Sequence, residues 1–144
     1  MYLAKKSDPQ GRDEPSVGQG AKPRRQGERI LVVEDDAEVL KLAGDLLEDA
    51  GYTTLKAENG AAALVALAED TGPVSLALID IVMPGMNGME LYRKIVATHP
   101  NLPVIFTTGY DAEVFRGSTP LDYPIIQKPF TPSDLLRIVH KVLG

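Results

Sequence analysis

Ile30-Leu-Val-Val-Glu-Asp-Asp36 is a run of four apolar residues, three of them β-branched, that ends abruptly in three acids. It is too short for a helix and offers no alternating polar face, which predicts a strand buried on both sides, as in a parallel sheet. Asp36 is placed to cap a helix whose apolar positions Val39, Leu40, Ala43, Leu46, Leu47 and Ala50 recur at helical spacing as far as Gly51. Leu76-Ala-Leu-Ile79 is a second wholly apolar strand, and it too runs straight into an acid, Asp80. Around these two strands the chain alternates. Thr53–Ala57 is a weaker strand, and Asn59 caps an Ala/Leu-rich helix to about Asp70. The Met83-Pro-Gly-Met-Asn-Gly88 loop leads to a helix through Leu91, Tyr92, Ile95 and Val96 that closes before Pro100. Pro103–Thr107 is a fourth strand, and residues 111–116 form at most a short helix before Gly117-Ser-Thr-Pro120 breaks it. Ile125-Ile126 is a short fifth strand, and Thr131 or Ser133 caps a last helix carrying Leu135, Leu136, Ile138, Val139, Val142 and Leu143. Strand and helix alternate five times. That pattern predicts an α/β fold, a (βα)₅ doubly wound parallel sheet with an irregular or shortened fourth helix.

Composition narrows the function. At 144 residues and 44% apolar the chain suits one domain with one real core. There is no Cys, which removes disulfides, thiolate metal sites and thiol nucleophiles. The two His, His99 and His140, are too few for an imidazole cluster, and His140 is expected to be an ordinary helix-surface residue. Three of the four Met cluster at residues 83–89 and are expected to pack the loop. No apolar run approaches the ~18 residues of a membrane span, and the opening MYLAKKSDPQGRDE lacks a secretory h-region, so the expectation is a cytoplasmic protein without membrane insertion. Residues 1–29 carry a net charge of +3 and residues 30–144 a net of −8. The basic, Gly/Pro/Gln/Ser-rich stretch 1–28 buries too little apolar surface to order itself and is expected to be a disordered tail or linker, leaving 29–144 as the domain. The acidic domain argues against nucleic-acid binding, which requires a basic stripe.

Each chemically capable side chain falls at a strand end: Glu34 and Asp35 after strand 1, Asp80 at strand 3, Thr108 at strand 4, Lys128 after strand 5. In a sheet of order 2-1-3-4-5, strands 1 and 3 are neighbours at the switch point where open α/β sheets bind ligands, so Glu34, Asp35 and Asp80 converge. Singly, each has a bland explanation: a cap, a turn hydroxyl, a surface lysine. Jointly they do not. Three carboxylates in one cleft need cations, and oxygen ligands without His or Cys favour Mg²⁺, with Mn²⁺ able to substitute. A Thr hydroxyl and a Lys ammonium beside them suit phosphoryl oxygens, and a carboxylate is a possible acceptor in phosphoryl transfer.

At these positions the chain resembles the receiver domain of two-component response regulators. The resemblance rests on Ile30-Leu-Val-Val-Glu-Asp-Asp36, Leu78-Ile-Asp-Ile-Val-Met-Pro-Gly-Met-Asn-Gly88, Leu102-Pro-Val-Ile-Phe-Thr-Thr-Gly109 and Gln127-Lys-Pro-Phe130. It implies a flavodoxin-like fold and Asp80 as phosphoacceptor, supplied by a sensor histidine kinase or a histidine phosphotransfer protein. It implies Asp35 as a direct Mg²⁺ ligand, Glu34 as a second acid acting mainly through water, and Val82 as a backbone-carbonyl ligand. Thr108 would be the switch hydroxyl, Lys128 the ion-pair partner of the phosphoryl group, and the bond before Pro129 cis. The output would be altered binding to a downstream protein not identified by the sequence. The family's aromatic switch position, three before Lys128, is Ile125 here, so Tyr110 or Tyr123 would carry that role. The segment between Gly109 and Pro124 is short, in the style of receivers that stand alone or are borne by hybrid kinases. Val82 and Tyr110, two beyond Asp80 and Thr108, are bulky and poorly suited to orient water, which predicts slow autodephosphorylation. Three other readings compete: a receiver working without phosphorylation, an Asp-nucleophile Mg²⁺ phosphatase, and a flavin-binding module. The phosphatase would need a second acid where Val82 stands. Acidic strand ends would repel a flavin phosphate.

Overall fold

The computed structural model describes residues 28–69, 72–109 and 123–144. In chain order the elements are β1 (Arg29–Val33), α1 (Ala37–Asp49), β2 (Thr53–Ala57), α2 (Gly60–Ala68), β3 (Leu76–Asp80), α3 (Gly88–Thr98), β4 (Val104–Thr108), β5 (Ile125–Gln127) and α4 (Pro132–Leu143). The five strands are parallel in the order β2-β1-β3-β4-β5, as the alternation predicts. Residues 1–27, and the expected short helix at 111–116 with Tyr110 just before it, lie outside the described residues.

Two-sided burial explains why the central strands are apolar throughout. Leu31, Val33, Ala77, Ile79, Val104 and Phe106 face one core layer with Leu91 and Ile95 of α3 and Ala63 of α2. Ile30, Val32, Leu76, Leu78, Ile105 and Ile126 face the other, with Leu40 and Leu47 of α1 and Leu135 and Val139 of α4. Successive residues point to opposite faces, so a continuous apolar run fills both layers.

The helix starts follow the sequence signals. Asp36 Oδ1 accepts from the Glu38 and Val39 N–H groups at 2.9 and 3.2 Å. Asn59 caps α2 through the Ala62 N–H at 2.7 Å, and Thr131 caps α4 through Asp134 N–H at 3.1 Å. Asn87 and Glu90 form a reciprocal capping box at the start of α3. Two boundaries differ from expectation. β4 runs one residue later at each end: Pro103 has no N–H to donate, while Thr108 accepts from the Lys128 N–H at 2.7 Å and so extends the pairing with β5. α2 ends at Ala68 instead of reaching Asp70, with Glu69 leaving helical geometry.

One glycine fixes how closely α3 approaches the sheet edge. Gly88 donates its N–H to the Ile81 carbonyl at 2.8 Å. A methyl group there would lie 2.7 Å from the Ile81 Cα and closer still to the Asp80 carbonyl oxygen, so the clash is with backbone, which cannot step aside cheaply. Gly88→Ala is expected to lower unfolding stability by about 1–3 kcal/mol; an unchanged urea midpoint would show that α3 does not depend on this approach.

Candidate functional site

The carboxyl edge of the sheet gathers the acids from two adjacent strands. Val33 pairs with Ile79, so Glu34 and Asp35 leave β1 beside the point where Asp80 ends β3. One carboxylate oxygen from each of Glu34, Asp35 and Asp80 lies within 4.8 Å of the others. Glu34 and Asp80 are buried, whereas Asp35 is exposed. Lys128, following β5, reaches across from the far side: its Nζ donates to Glu34 Oε1 at 2.9 Å and to Asp80 Oδ2 at 3.3 Å. The peptide bond between Lys128 and Pro129 is cis, as the resemblance implies.

Each oxygen of Glu34 has a partner, since Oε2 accepts from the Asp36 N–H at 3.1 Å while Oε1 holds Lys128. Asp80 Oδ1 accepts from the Val82 N–H at 3.3 Å. Burial and the neighbouring Glu34 charge push the Asp80 carboxyl up to about 7, against the pull of Lys128 and the Val82 N–H. Burial opposes the charge on Lys128, but its hydrogen bond to Glu34 and the Asp80 and Glu34 charges outweigh that and hold the ammonium above its ordinary value. Among the described residues, three carboxylates thus face one ammonium. The donors are all oxygen, one acid is open to solvent, and the residual charge is negative, a set that fits Mg²⁺ with several of its waters retained.

The remaining predicted residues take the following places. Thr108 ends β4 and is fully buried, and its carbonyl is tied to the Lys128 N–H. Val82 lies just past Asp80 and is 40% exposed, on the rim of the cluster. Ile125 packs against the α2/α3 core layer, not at the acids. Tyr110 lies outside the described residues. His99 closes α3 with its Nδ1 2.8 Å from Thr98 Oγ1, and His140 lies on α4 with Arg137 and Lys141 around a surface depression apart from the cluster.

Sequence reasoning missed three features. Lys128 is expected to offset charge among the acids, but its direct bond to Glu34 was not foreseen, because the strand order brings the strand ends to one edge without fixing which side chains touch. An aromatic group joins Tyr123 edge-on to Tyr92 and Phe106, with ring centroids 5.3 and 6.1 Å apart, and Phe106 stands two residues before Thr108 on the same strand face. The signal for it was available in the shared parity of Phe106 and Thr108. The third is the seat of Met86 against Gly60, where the loop after Asp80 meets the first residue of α2.

The family model of the response regulator receiver domain matches residues 30–140. The chain is 39% identical over 117 residues to the response regulator receiver protein CpdR of Brucella abortus (strain 2308), a match covering 80% of this chain and 96% of that protein. To the sensor kinase CckA of the same organism it is 34% identical over 116 residues, covering 79% of this chain and 12% of that much longer protein. Among solved structures it is similar to the response regulator protein TrrA of Thermotoga maritima, solved in complex with Mg(2+)-BeF, at 31% identity and a TM-score of 0.69, covering 80% of this chain and 98% of that one. The acidic edge, the strand order and these matches agree: the chain belongs to the receiver domain family of two-component response regulators.

Proposed function

We propose that Asp80 is the phosphoacceptor of this receiver domain. The observation that carries the reading is the position of its carboxylate, between the Lys128 ammonium at 3.3 Å and the acidic oxygens of Glu34 and Asp35. An Asp80 oxygen attacks the phosphorus of a phosphohistidine on a sensor histidine kinase or a phosphotransfer protein. The P–N bond breaks, the imidazole departs, and an acyl phosphate is left on Asp80. Loss of the signal is a second displacement at phosphorus: water attacks, the bond between the Asp80 oxygen and phosphorus breaks, and inorganic phosphate leaves with the carboxylate restored.

Asp35, Asp80 and the Val82 carbonyl would hold Mg²⁺ directly, and Glu34 through water. The engagement of both Glu34 oxygens, one by Lys128 and one by the Asp36 N–H, supports that division. When bound, the ion would supply positive charge to the phosphoryl oxygens; Mn²⁺ is expected to substitute. Lys128 then transfers its donors from Asp80 to the phosphoryl group, and the buried Thr108 hydroxyl closes on it. The change in Thr108 reaches a downstream protein through the β4–β5 face, where Tyr123, Tyr92 and Phe106 are packed together. Catalysis by the chain is confined to its own phosphorylation and dephosphorylation. A phosphatase acting on external substrates finds no support, since the residue two beyond Asp80 is Val82 and carries no acid. Residues 29–144 form the signalling unit, with 1–28 as tail or linker.

Incubating the protein with a small acyl-phosphate donor and Mg²⁺, and then taking its intact mass, is expected to show one phosphoryl adduct that is absent without Mg²⁺ and absent in Asp80→Asn. An adduct that persists in Asp80→Asn would move the acceptor elsewhere. Once formed, the adduct is expected to decay slowly, because Val82 and Tyr110 are bulky and poorly suited to orient an attacking water. Tyr110→Ala is expected to speed that decay severalfold in the same assay, and an unchanged rate would remove Tyr110 from the account.

A further inference from the structure

The loop between Asp80 and α3 carries the Val82 carbonyl, yet little of it is inside the protein. Ile81 is tied to the sheet by its N–H bond to the Thr107 carbonyl at 2.8 Å, and Met83 is buried in the α2/α3 layer. Pro84, Gly85 and Asn87 are exposed, and Gly85 takes a positive φ of 75° with open space around it. Within this outer turn, Met86 is the residue that packs inward. Its seat is the space left by the absent side chain of Gly60, the first residue of α2. A methyl at position 60 would lie 2.6 Å from Met86 Sδ and 3.2 Å from its Cβ and Cγ.

We propose that Met86, latched into the notch at Gly60, is a positioning residue that aims the Val82 carbonyl into the metal site. The physical case is one of anchoring. The Val82–Met83 peptide is fixed on one side by the strand end and on the other by whatever holds the reversal after Met83. The buried Met83 and the Gly88 N–H bond to the Ile81 carbonyl hold the two ends of that reversal, Pro84 and Gly85 are exposed, and Met86 is the side chain that ties the turn between them to α2. A carbonyl serves as a Mg²⁺ ligand only within a narrow orientation, because Mg²⁺ demands near-octahedral geometry. Groups that hydrogen-bond a metal ligand and orient it typically carry roughly ten- to hundredfold of affinity, and a packing contact acting at one remove belongs at the low end of that range. The latch also joins the β2–α2 and β3–α3 connections, so the start of α2 takes part in holding the phosphoacceptor loop. The inference rests on the Val82 carbonyl being a Mg²⁺ ligand.

The test is a double-mutant cycle in the whole chain: Met86→Ala, Gly60→Ala, and the two combined. Mg²⁺ affinity is measured by calorimetry, the metal-free Val82 and Gly88 amide signals by nuclear magnetic resonance, and the thermal midpoint as a control. Met86→Ala empties the notch, and Gly60→Ala expels the thioether from it. Each is expected to weaken Mg²⁺ binding by about tenfold and to shift the metal-free Val82 amide. In the combined variant the new methyl fills part of the vacated space, so affinity and amide signal are expected to return most of the way to wild type, a strongly non-additive result. Single variants that bind Mg²⁺ like wild type overturn the latch, whether or not their midpoints fall. Losses that simply add in the combined variant overturn it as well. Absence of Mg²⁺ binding in the wild-type protein would overturn the metal reading itself, and the inference with it.

Discussion

Three carboxylates drawn to one edge of the sheet, with a single ammonium among them in the described residues, are the constraint on which the rest of this structure depends. Glu34 and Asp80 are buried there, Asp35 is beside them, and Lys128 bridges the two buried acids. Such a cluster is costly to assemble, because burial and mutual repulsion both disfavour the charges. The sheet holds it together by rigidity. β1 and β3 are adjacent through a crossover and not through sequence, and their continuous apolar runs are locked between two core layers. On the proposed reading the excess negative charge is the source of the function: a divalent ion would relieve it and would supply positive charge beside a phosphoryl group.

A second consequence concerns division of labour between the rigid sheet and the loops at its edge. Side chains that must converge (Glu34, Asp80, Thr108, Lys128) lie at or within one residue of strand ends, where backbone pairing fixes them. The Val82 carbonyl, by contrast, stands on a loop that has to be held by packing. Two small residues make that possible. Gly88 lets α3 start directly against the Asp80 backbone, and Gly60 leaves room for Met86. Strand ends with short anchored loops give a preorganised site, in which the proposed exchange of Lys128 from Asp80 to a phosphoryl group would need little rearrangement.

The sequence made the sheet legible for a physical reason: β1, β3 and β4 are buried on both faces, so their residues have little freedom to be anything but apolar, and each run ends where the chain must turn polar. The caps Asp36, Asn59 and Thr131 were legible because a side chain bonding to the next turn is a local event. β4 was displaced by a residue because its limit is set by pairing with β5, which is a tertiary matter. The acids were found from their strand-end positions, but not which partner each would take. That Glu34 would hold Lys128 with one oxygen and the Asp36 N–H with the other depends on the relative height of β1 and β5. Nothing in either segment encodes that height. Ile125, at the family's aromatic position, and the grouping of Tyr123 with Tyr92 and Phe106 belong to the same class: contacts between elements whose distance only the assembled fold defines.

The central claim, that the uncompensated acids strain the metal-free domain, has a direct measurement in urea unfolding of metal-free wild type beside Asp80→Asn from about pH 4 to about pH 8. The Asp80 carboxyl is raised to about 7 in the fold, above its ordinary 3.8. Between those values the folded chain binds a proton that the unfolded chain has lost, so ionisation of Asp80 removes stability as the pH rises through this window. The account predicts that metal-free Asp80→Asn is more stable than wild type by about 1–3 kcal/mol near pH 8, that the gap closes on acidification, and that Mg²⁺ closes it by stabilising the wild type. A substitution that destabilises the metal-free protein at high pH, or a gap indifferent to pH, would contradict it.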